Sequence, residues 1–373
     1  MPNEAMNHAT VPARRRSRFG LSLRAFMALV LVLGSGFGWI AYRARVQRNA
    51  LELIKRSGGY VEYNFHFTPQ TPGGPQLRMK PLGPAWMRQF LGSEFLDTVT
   101  FVSAKGAYPN PNVDGDAVLR AASQLSGVEG LTIQDAKATD AGAERVSRLT
   151  RLRSLDMCEP RVTGRALRDY GRLTDLRRLA LNVSQVRDEE LGFLKQLTKL
   201  EELRLTIHSG RPGDSILVNL KDATNLLVLD LNGIPITTSG LRHIRGLSNL
   251  LVVSLSGAKV DSLEPLRPLS KLQSIFLPGS PLDDDDLVIL KDFPKLAYLD
   301  LSRAKITDLG IAHLRSLPNL RGVVLDETAI TDAGFIALGK APTLDWVSIR
   351  GTKISRNADK AFNAAYPKIR VDQ

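Results

Sequence analysis

The 373-residue sequence predicts an α/β solenoid, in which short parallel strands form a curved sheet and helical or irregular segments return along its convex side. The first observation is a pattern of the form L-x-x-L-x-L, repeated ten times at steps of 24 residues, with one step of 26 and one of 22. A fixed period in this range is the signature of a leucine-rich-repeat solenoid. The second leucine-type position falls at Leu131, Leu155, Leu179, Leu203, Leu229, Val253, Ile275, Leu299, Val323 and Val347.

The second observation is that each repeat changes from a strand spacing to a helical spacing. In the repeat that begins at Leu296, Leu299 and Leu301 stand on either side of Asp300, as the alternation of a half-buried strand requires. Thr307 is a good N-cap residue for the segment that follows. The apolar residues of that segment recur every three positions: Ile311, Leu314 and Leu317. We therefore expect a strand followed by a helical segment in the repeats, with part of that segment missing from the 22-residue repeat that begins at Leu250.

The third observation is an uncharged, mostly apolar run at residues 25–42. As a helix it would be about 27 Å long, close to the hydrocarbon thickness of a bilayer. Five arginines precede the run closely and three follow it, a bias that favours a cytoplasmic N-terminus. The sequence predicts a transmembrane helix here. The alternative is a cleaved signal peptide, with Gly34, Ser35 and Gly36 as the small residues near a cut site.

These observations divide the chain into five predicted segments. They are a basic cytoplasmic tail (1–24), a transmembrane helix (25–42), a juxtamembrane helix, short strand and Pro/Gly linker (43–84), an N-terminal cap with an irregular first repeat (85–127), and the solenoid (128–373).

Within the third and fourth segments, we expect a strand from Tyr60 to Phe67 and a short helix from Ala85 to Phe95. We also expect an edge strand at Val99–Phe101 and an insertion from Tyr108 to Asp116. Together these elements would cover the open apolar end of the first repeat.

The net charge of +12 is concentrated in the N-terminal part of the chain. Residues 1–56 hold ten Lys/Arg and two Asp/Glu, a net of +8, and the remainder holds 40 and 36, a net of +4. The solenoid therefore needs no large basic face, and we expect no nucleic-acid partner. Cys158 is the only cysteine, so the chain forms no internal disulfide.

Short motifs at the start of the helical segments carry a family resemblance. ITDLG at Ile306, ITDAG at Ile330, ATDAG at Ala138 and TTSG at Thr237 resemble the cysteine-containing type of leucine-rich repeat found in F-box substrate receptors. This sequence departs from that type where Cys or Asn is usual. Those positions hold Ala258, Ser280, Ala304, Thr328 and Thr352. Because the chain also lacks an F-box helix set, ubiquitin-ligase function does not carry over.

The N-terminal part adds a second resemblance. The arginine-flanked apolar run, GGYVEY at Gly58 and PAWMRQFLG at Pro84 are together similar to bacterial membrane-anchored leucine-rich-repeat proteins. The resemblance implies a fold and an exposed surface, and it implies no established activity.

The residues that could carry chemistry form no catalytic or metal-binding pattern. His243 and His313 occupy the same repeat phase three repeats apart, about 14 Å, so they cannot share a metal. The run Asp283–Asp286 fits a helix start better than a calcium loop. Cys158 has no basic neighbour in sequence, and neither a nucleophile elbow nor a phosphate-binding loop is present. We expect no enzyme activity, cofactor or metal. The alternative is a hydrolase whose site lies within residues 57–127, where the sequence has no paired nucleophile and base.

The outward-facing strand positions form the predicted binding surface. Charge dominates the middle repeats, and apolar or aromatic residues gather in the C-terminal repeats, bordered by Asp300, Asp326 and Arg350. Exposed aromatic residues are favoured anchors of protein interfaces. The alternatives are that strands simply favour such residues, or that the C-terminal cap shields Trp346. The predicted protein-binding residues are Val252, Phe276, Tyr298, Asp300, Val324, Trp346, Arg178 and Arg204.

From these features we predict a membrane-anchored scaffold that recognises an unidentified protein partner through its concave face. The repeats would lie outside the cytoplasm. The alternative is a structural protein that organises the cell envelope and has no discrete ligand.

Overall fold

The computed structural model describes residues 22–63, 98–106, 112–210 and 212–373. The chain divides into two compact units, one that ends at Val46 and one from Gln47 to Gln373. The helix expected at Ala85–Phe95 and the Pro/Gly linker lie outside the described residues.

The described part of the first unit is helical. Helix α1 runs from Leu23 to Arg56, and its residues up to Val46 belong to this unit. An 18-residue window of α1 has a mean hydropathy of 1.8, and none of it is buried. The guanidinium of Arg43 lies 4.9 Å from the ring centre of Trp39. By length and composition α1 can cross a membrane, and an N-terminal signal sequence would have the same properties.

Among its described residues, the second unit contains one sheet whose thirteen strands follow one another in chain order. The first pair is antiparallel and every later pair is parallel. The strands are β1 (Tyr60–Tyr63), β2 (Val99–Lys105), β3 (Gly130–Gln134), β4 (Ser154–Glu159), β5 (Arg178–Gln185), β6 (Glu202–Ser209), β7 (Val228–Asn232), β8 (Val252–Ser254), β9 (Ser274–Phe276), β10 (Tyr298–Asp300), β11 (Gly322–Val324), β12 (Trp346–Ser348) and β13 (Arg370–Asp372). The predicted leucine-rich-repeat solenoid is confirmed.

The strand register follows the predicted repeat phase. Leu299 lies opposite Ile275 on one side and Val323 on the other, all three at the second leucine-type position. All ten residues at this position are buried in one continuous core. The repeats are therefore joined by a single apolar spine.

The returning segments are short helices. The α-helices are α2 (Gly115–Ala122), α3 (Asp140–Ala143), α4 (Gly164–Leu167), α5 (Ser215–Leu220), α6 (Thr238–Leu241), α7 (Asp308–Leu314), α8 (Asp332–Leu338) and α9 (Arg356–Ala365). The 3₁₀ helices are Glu144–Arg148, Arg168–Arg172, Asp188–Gln196, Arg242–Ile244, Glu264–Leu266 and Asp285–Asp292.

At several helix starts, a threonine or serine is hydrogen-bonded to an aspartate of the preceding repeat. The backbone N–H and the hydroxyl of Thr307 both donate to the carboxylate of Asp284, at 2.9 and 2.5 Å. A Cβ on Gly310 would lie 2.4 Å from that carboxylate, so only glycine fits there. The same double hydrogen bond joins Asp116 to Thr139, Asp140 to Thr163, Asp214 to Thr237, Asp308 to Thr331 and Asp332 to Ser355.

The strands differ in length along the solenoid because the chain does not turn at the same point in every repeat. In the repeats of β8–β12, the fourth residue after the buried second leucine-type position has a positive φ. Those residues are Gly257, Gly279, Arg303, Glu327 and Gly351. In β4–β6 the same position holds Glu159, Val183 and Ile207, which remain in the strand. These three strands run for six to eight residues. In β3 and β7 the same position, Asp135 and Gly233, has a positive φ directly after a strand of five residues. A branched side chain such as that of Val183 disfavours a positive φ.

The N-terminal end of the sheet corrects two sequence predictions. The predicted edge strand at Val99–Phe101 is part of β2, which lies between β1 and β3, so the edge strand is β1. The insertion predicted to reach Asp116 ends earlier, since α2 begins at Gly115 with Asp114 as its N-cap.

Both ends of the solenoid core are covered. At the N-terminal end, Ala50, Leu51 and Ile54 in the last turns of α1 are buried in the same core as the repeats. At the C-terminal end, the ring of Phe362 in α9 stacks on Phe335 at a centroid distance of 4.1 Å. Each end repeat thus hides apolar surface that would otherwise face water.

Candidate functional site

Two lateral rows of outward side chains cross the concave face of the sheet. Row A contains the residues directly before the buried second leucine-type position, and row B the residues directly after it. Row A is Phe101, Gly130, Ser154, Arg178, Glu202, Val228, Val252, Ser274, Tyr298, Gly322 and Trp346. Row B is Ser103, Thr132, Asp156, Ala180, Arg204, Asp230, Ser254, Phe276, Asp300, Val324 and Ser348. Neighbours within a row lie about 4.8 Å apart.

Two aromatic rings flank Gly322 near the C-terminal end of row A. Tyr298 is 46% exposed and Trp346 is partly exposed, on the two strands that flank Gly322. A Cβ on Gly322 would lie 2.9 Å from Cδ1 of Tyr298 and 3.0 Å from Cε3 of Trp346. Both rings therefore lie over the glycine backbone, and a larger residue would force them apart.

The other predicted apolar residues lie on the same face. Val252 in row A, and Phe276 and Val324 in row B, are each half-buried. Asp300 lies between Phe276 and Val324 in the register. Its carboxylate accepts a hydrogen bond from the backbone N–H of Ser302 at 2.9 Å. The prediction that Asp300 borders the apolar surface is therefore wrong, since a charged group stands within it.

The C-terminal cap partly shields Trp346, as one alternative expected. Its indole N–H donates to Asp372 at 3.0 Å, and β13 pairs with the strand that holds it. The indole N–H lowers the pKa of the Asp372 carboxyl below its ordinary value, and the charge of Arg370 adds to the effect. The ring keeps a partly exposed face beside Gly322. We define the C-terminal apolar surface as Val252, Phe276, Tyr298, Val324 and Trp346.

The two predicted arginines of the middle repeats have different surroundings. Nε of Arg204 donates to the carboxylate of Glu202 at 2.6 Å, within the same strand. Arg178 is exposed, and within the described ranges no carboxylate lies at ion-pair distance from it. Arg178 is therefore the cation that remains available to a partner.

Polar groups in the middle repeats are partly withdrawn from water. Burial raises the pKa of the Asp156 and Asp230 carboxyls, and the amide of Gln134 donates to Asp156 at 2.9 Å. Oδ1 of Asp230 is buried without a hydrogen-bond partner. Burial, followed by nearby carboxylates, also raises the pKa of the Cys158 thiol. A thiol with a raised pKa is a poor nucleophile at neutral pH.

The residues tested for metal or acid–base chemistry do not converge on a site. Within the described ranges no group of three His, Cys, Asp or Glu side chains could hold a metal ion. His243 is exposed on the helical side of its repeat, and His313 lies in α7. In the acidic run, Asp284 binds Thr307 and Asp286 accepts a hydrogen bond from the backbone N–H of Asp283 at 3.0 Å. The carboxylates of this run therefore accept hydrogen bonds at the start of a helical segment.

No protein-family model matches the chain, and no curated protein matches it. Among solved structures, the fold is similar to that of an internalin from Listeria monocytogenes. That structure has a TM-score of 0.53 and 18% sequence identity, over 74% of this chain and 86% of that chain. Internalin C2 from the same organism is 26% identical over 56% of this chain and 83% of that chain, with a TM-score of 0.42. The first likeness shows that the chain has the leucine-rich-repeat fold.

Proposed function

We propose that this chain is a membrane-anchored leucine-rich-repeat scaffold that recognises a protein partner through its concave face, outside the cytoplasm and without catalysis. The observation that carries the proposal is the exposure of Tyr298, 46% of which faces solvent beside Trp346 over Gly322. Solenoids provide extended concave surfaces of this kind for binding other macromolecules.

The chemistry of the C-terminal apolar surface supports a protein partner. Tyrosine and tryptophan are enriched among the residues that dominate binding energy, because they remove a large rigid area from water. Half-buried Phe276 and Val324 extend the surface onto row B. The carboxylate of Asp300 within it would favour a partner that brings a hydrogen-bond donor to that point.

The anchor is supported by the apolar window of α1 and by the arginines on its two sides. We expect the 373-residue chain to remain in the membrane fraction after a carbonate wash and to keep its N-terminus. Intact-mass measurement of the recovered protein is the check. A soluble form beginning near Gly36 would support the signal-peptide alternative.

Recognition is tested by placing a photocrosslinking amino acid at Tyr298 in the membrane-anchored chain, expressed in its own cells. Leu309, which is 75% exposed in α7, is the matched control on the helical side. We expect a discrete crosslinked protein from position 298 and none from position 309. A structural role in the envelope without a discrete ligand predicts no distinct product from either position.

Once that partner is purified, Tyr298→Ala should weaken its binding by roughly 1 kcal/mol or more, because the ring is an exposed anchor. Trp346→Ala should do the same, although it also removes the hydrogen bond to Asp372. Leu309→Ala is the control and should leave affinity unchanged. If affinity survives both aromatic substitutions, the partner binds elsewhere on the solenoid.

A further inference from the structure

A groove lies at the other end of the concave face, where the first repeats meet the N-terminal cap. Its volume is about 710 Å³, and its lining includes Phe101, Gly130, Ser154, Arg153, Arg177 and Arg178. We define the notch as the part of this groove bounded by Phe101, Gly130, Ser154 and Arg178, which are consecutive members of row A.

The notch exists because two small residues stand between two large ones. The strand pairing places Phe101 opposite Gly130, Gly130 opposite Ser154, and Ser154 opposite Arg178. The ring of Phe101 lies over Gly130, where an added Cβ would be 2.5 Å from its Cδ2. Three strand spacings separate the Cα atoms of Phe101 and Arg178, about 14 Å. The notch therefore has an apolar wall at one end and a guanidinium at the other.

The charges around the notch leave one cation without a partner. On the rim, Arg153 pairs with Glu129 at 3.3 Å, and Arg177 pairs with Glu201 at 2.5 Å. The neighbour of Arg178 in row A is Glu202, which is engaged by Arg204 at 2.6 Å. Glu62, which lies opposite Phe101 on β1, also lines the groove, at the end away from Arg178. Arg178 has no ion pair among the described residues, so its end of the notch is complementary to a group with one negative charge.

We propose that the notch binds the C-terminal residue of an extended peptide, with its carboxylate on Arg178 and an apolar last side chain against Phe101. A guanidinium binds a carboxylate through two parallel hydrogen bonds, which suits a single terminal carboxylate. The ring of Phe101 and the small surfaces of Gly130 and Ser154 accept an apolar side chain. The rim consists of two ion pairs, Glu129–Arg153 and Arg177–Glu201. Their carboxylates and guanidinium groups can accept and donate hydrogen bonds to the backbone of the preceding peptide residues.

This site is separate from the C-terminal apolar surface and does not depend on it. Tyr298 lies five strands from Arg178 in row A, about 24 Å away. A partner protein that used both would place its C-terminus near the first repeats and another part of its surface near the last ones.

The test uses the 373-residue chain in lipid nanodiscs and a fluorescein-labelled hexapeptide that ends in leucine with a free carboxylate. Fluorescence anisotropy should show saturable binding. The same peptide as its C-terminal amide should bind roughly tenfold more weakly or worse, since it loses a charged hydrogen-bonded pair. A hexapeptide that ends in serine should also bind more weakly, because it leaves the wall at Phe101 uncovered. Equal binding of acid and amide would overturn the proposal.

The matched variants are Arg178→Gln and Arg245→Gln. Arg178→Gln should weaken binding of the leucine-terminated peptide roughly tenfold, because the peptide carboxylate loses its charged partner. Arg245 is exposed on the helical side of the solenoid, so Arg245→Gln should change affinity by no more than about twofold. Ser154→Leu should fill the notch and abolish binding without changing any charge. Because Arg178 is exposed, its substitution leaves the core intact, and circular dichroism verifies the fold of each variant.

Two further arms separate this site from its competitors. Tyr298→Ala should leave the affinity for the peptide unchanged, because Tyr298 lies outside the notch. A loss of affinity in this variant would place the peptide on the C-terminal apolar surface instead. Unlabelled decanoate should compete poorly, since it offers no peptide backbone to the rim. Competition by decanoate as strong as that of the unlabelled peptide would overturn the assignment to a peptide terminus in favour of an amphiphilic carboxylate.

Discussion

The two halves of the solenoid share one core and differ in the width of the face they present. Strands β4–β6 run for six to eight residues, whereas β8–β12 run for three. The buried leucine-type positions recur with nearly the same step in both halves. At the fourth residue after the buried position, the chain has a positive φ in the repeats of β3 and β7–β12 and stays in the strand in β4–β6. A positive φ at this position therefore accompanies the strands of five residues or fewer, and its absence accompanies the longest strands.

The same difference separates the chemistry of the two halves. The longer strands add a third outward row that contains Cys158, Asn182 and Thr206. Polar groups in this half bind one another, as His208 Nε2 and Asn182 Oδ1 do at 2.6 Å. The short-strand half has no third row among its described strands and exposes aromatic rings instead. A wide polar face and a narrow apolar face thus follow one another along the same sheet.

The strongest test of the shared core substitutes one buried leucine in each half. Leu229→Ala and Leu299→Ala should each reduce the free energy of unfolding by roughly 2–5 kcal/mol, because both side chains are fully buried. Urea denaturation followed by circular dichroism is the measurement. His243→Gln is the control and should change stability by less than about 0.5 kcal/mol. If the leucine substitutions left the free energy of unfolding unchanged while His243→Gln reduced it, the assigned register would be wrong.

The second prediction concerns the long-strand half. Glu159 is buried at the end of β4, and its two carboxylate oxygens accept hydrogen bonds from the backbone N–H groups of Ala136 and Ala138. Glu159→Gln should cost about 1–3 kcal/mol in unfolding free energy, since the amide nitrogen would face one of those donors. Glu129→Gln removes only a half-exposed ion pair and should cost about 1 kcal/mol at most. If both substitutions reduced the free energy of unfolding equally, the burial of Glu159 would make no contribution to stability.

The third prediction tests the turn in the short-strand half. Gly279 has a φ of 78° with open space where a Cβ would lie, so Gly279→Ala adds backbone strain and no clash. It should destabilise the fold by about 1–2 kcal/mol. Gly246 also has open space but lacks a positive φ, so Gly246→Ala should stabilise by about 0.4–1 kcal/mol. The midpoint of urea denaturation should fall for Gly279→Ala and rise for Gly246→Ala, relative to the unsubstituted chain. A neutral Gly279→Ala would show that the positive φ at this turn does not require glycine.

The smallest effect concerns pH and the ring of Trp346 in the short-strand half. Because the pKa of Asp372 is lowered from 3.8, its hydrogen bond to Trp346 persists above that pH and is lost only as the pH falls through the lowered value. With Trp39 and Trp86 replaced by phenylalanine, tryptophan emission should stay constant from neutral pH to about pH 4 and shift below it. Asp372→Asn should remove that shift. A transition above pH 4 would mean that another group holds the indole.

The sequence by itself determined the repeat phase, the inward residues and the helix starts. Leu131 and Val347 are assigned correctly because a short-range period reports which side of a strand faces the core. The Thr-Asp-x-Gly motif is visible in the sequence as a helix start. The structure adds the reason for it, since Thr307 binds Asp284 of the preceding repeat. Row A and row B also follow from alternation along single strands, so the candidate residues of the concave face could be named in advance.

Only the tertiary structure decided what those residues have beside them. The covering of the first repeat by Ile54, the ring of Phe101 over Gly130, and the rings of Tyr298 and Trp346 over Gly322 join residues that lie 24 or more positions apart. The ion pair that distinguishes Arg204 from Arg178 depends on side-chain placement within and between strands. Such contacts are set by stacking of one repeat on the next, and the periodic pattern of any one repeat carries no information about them.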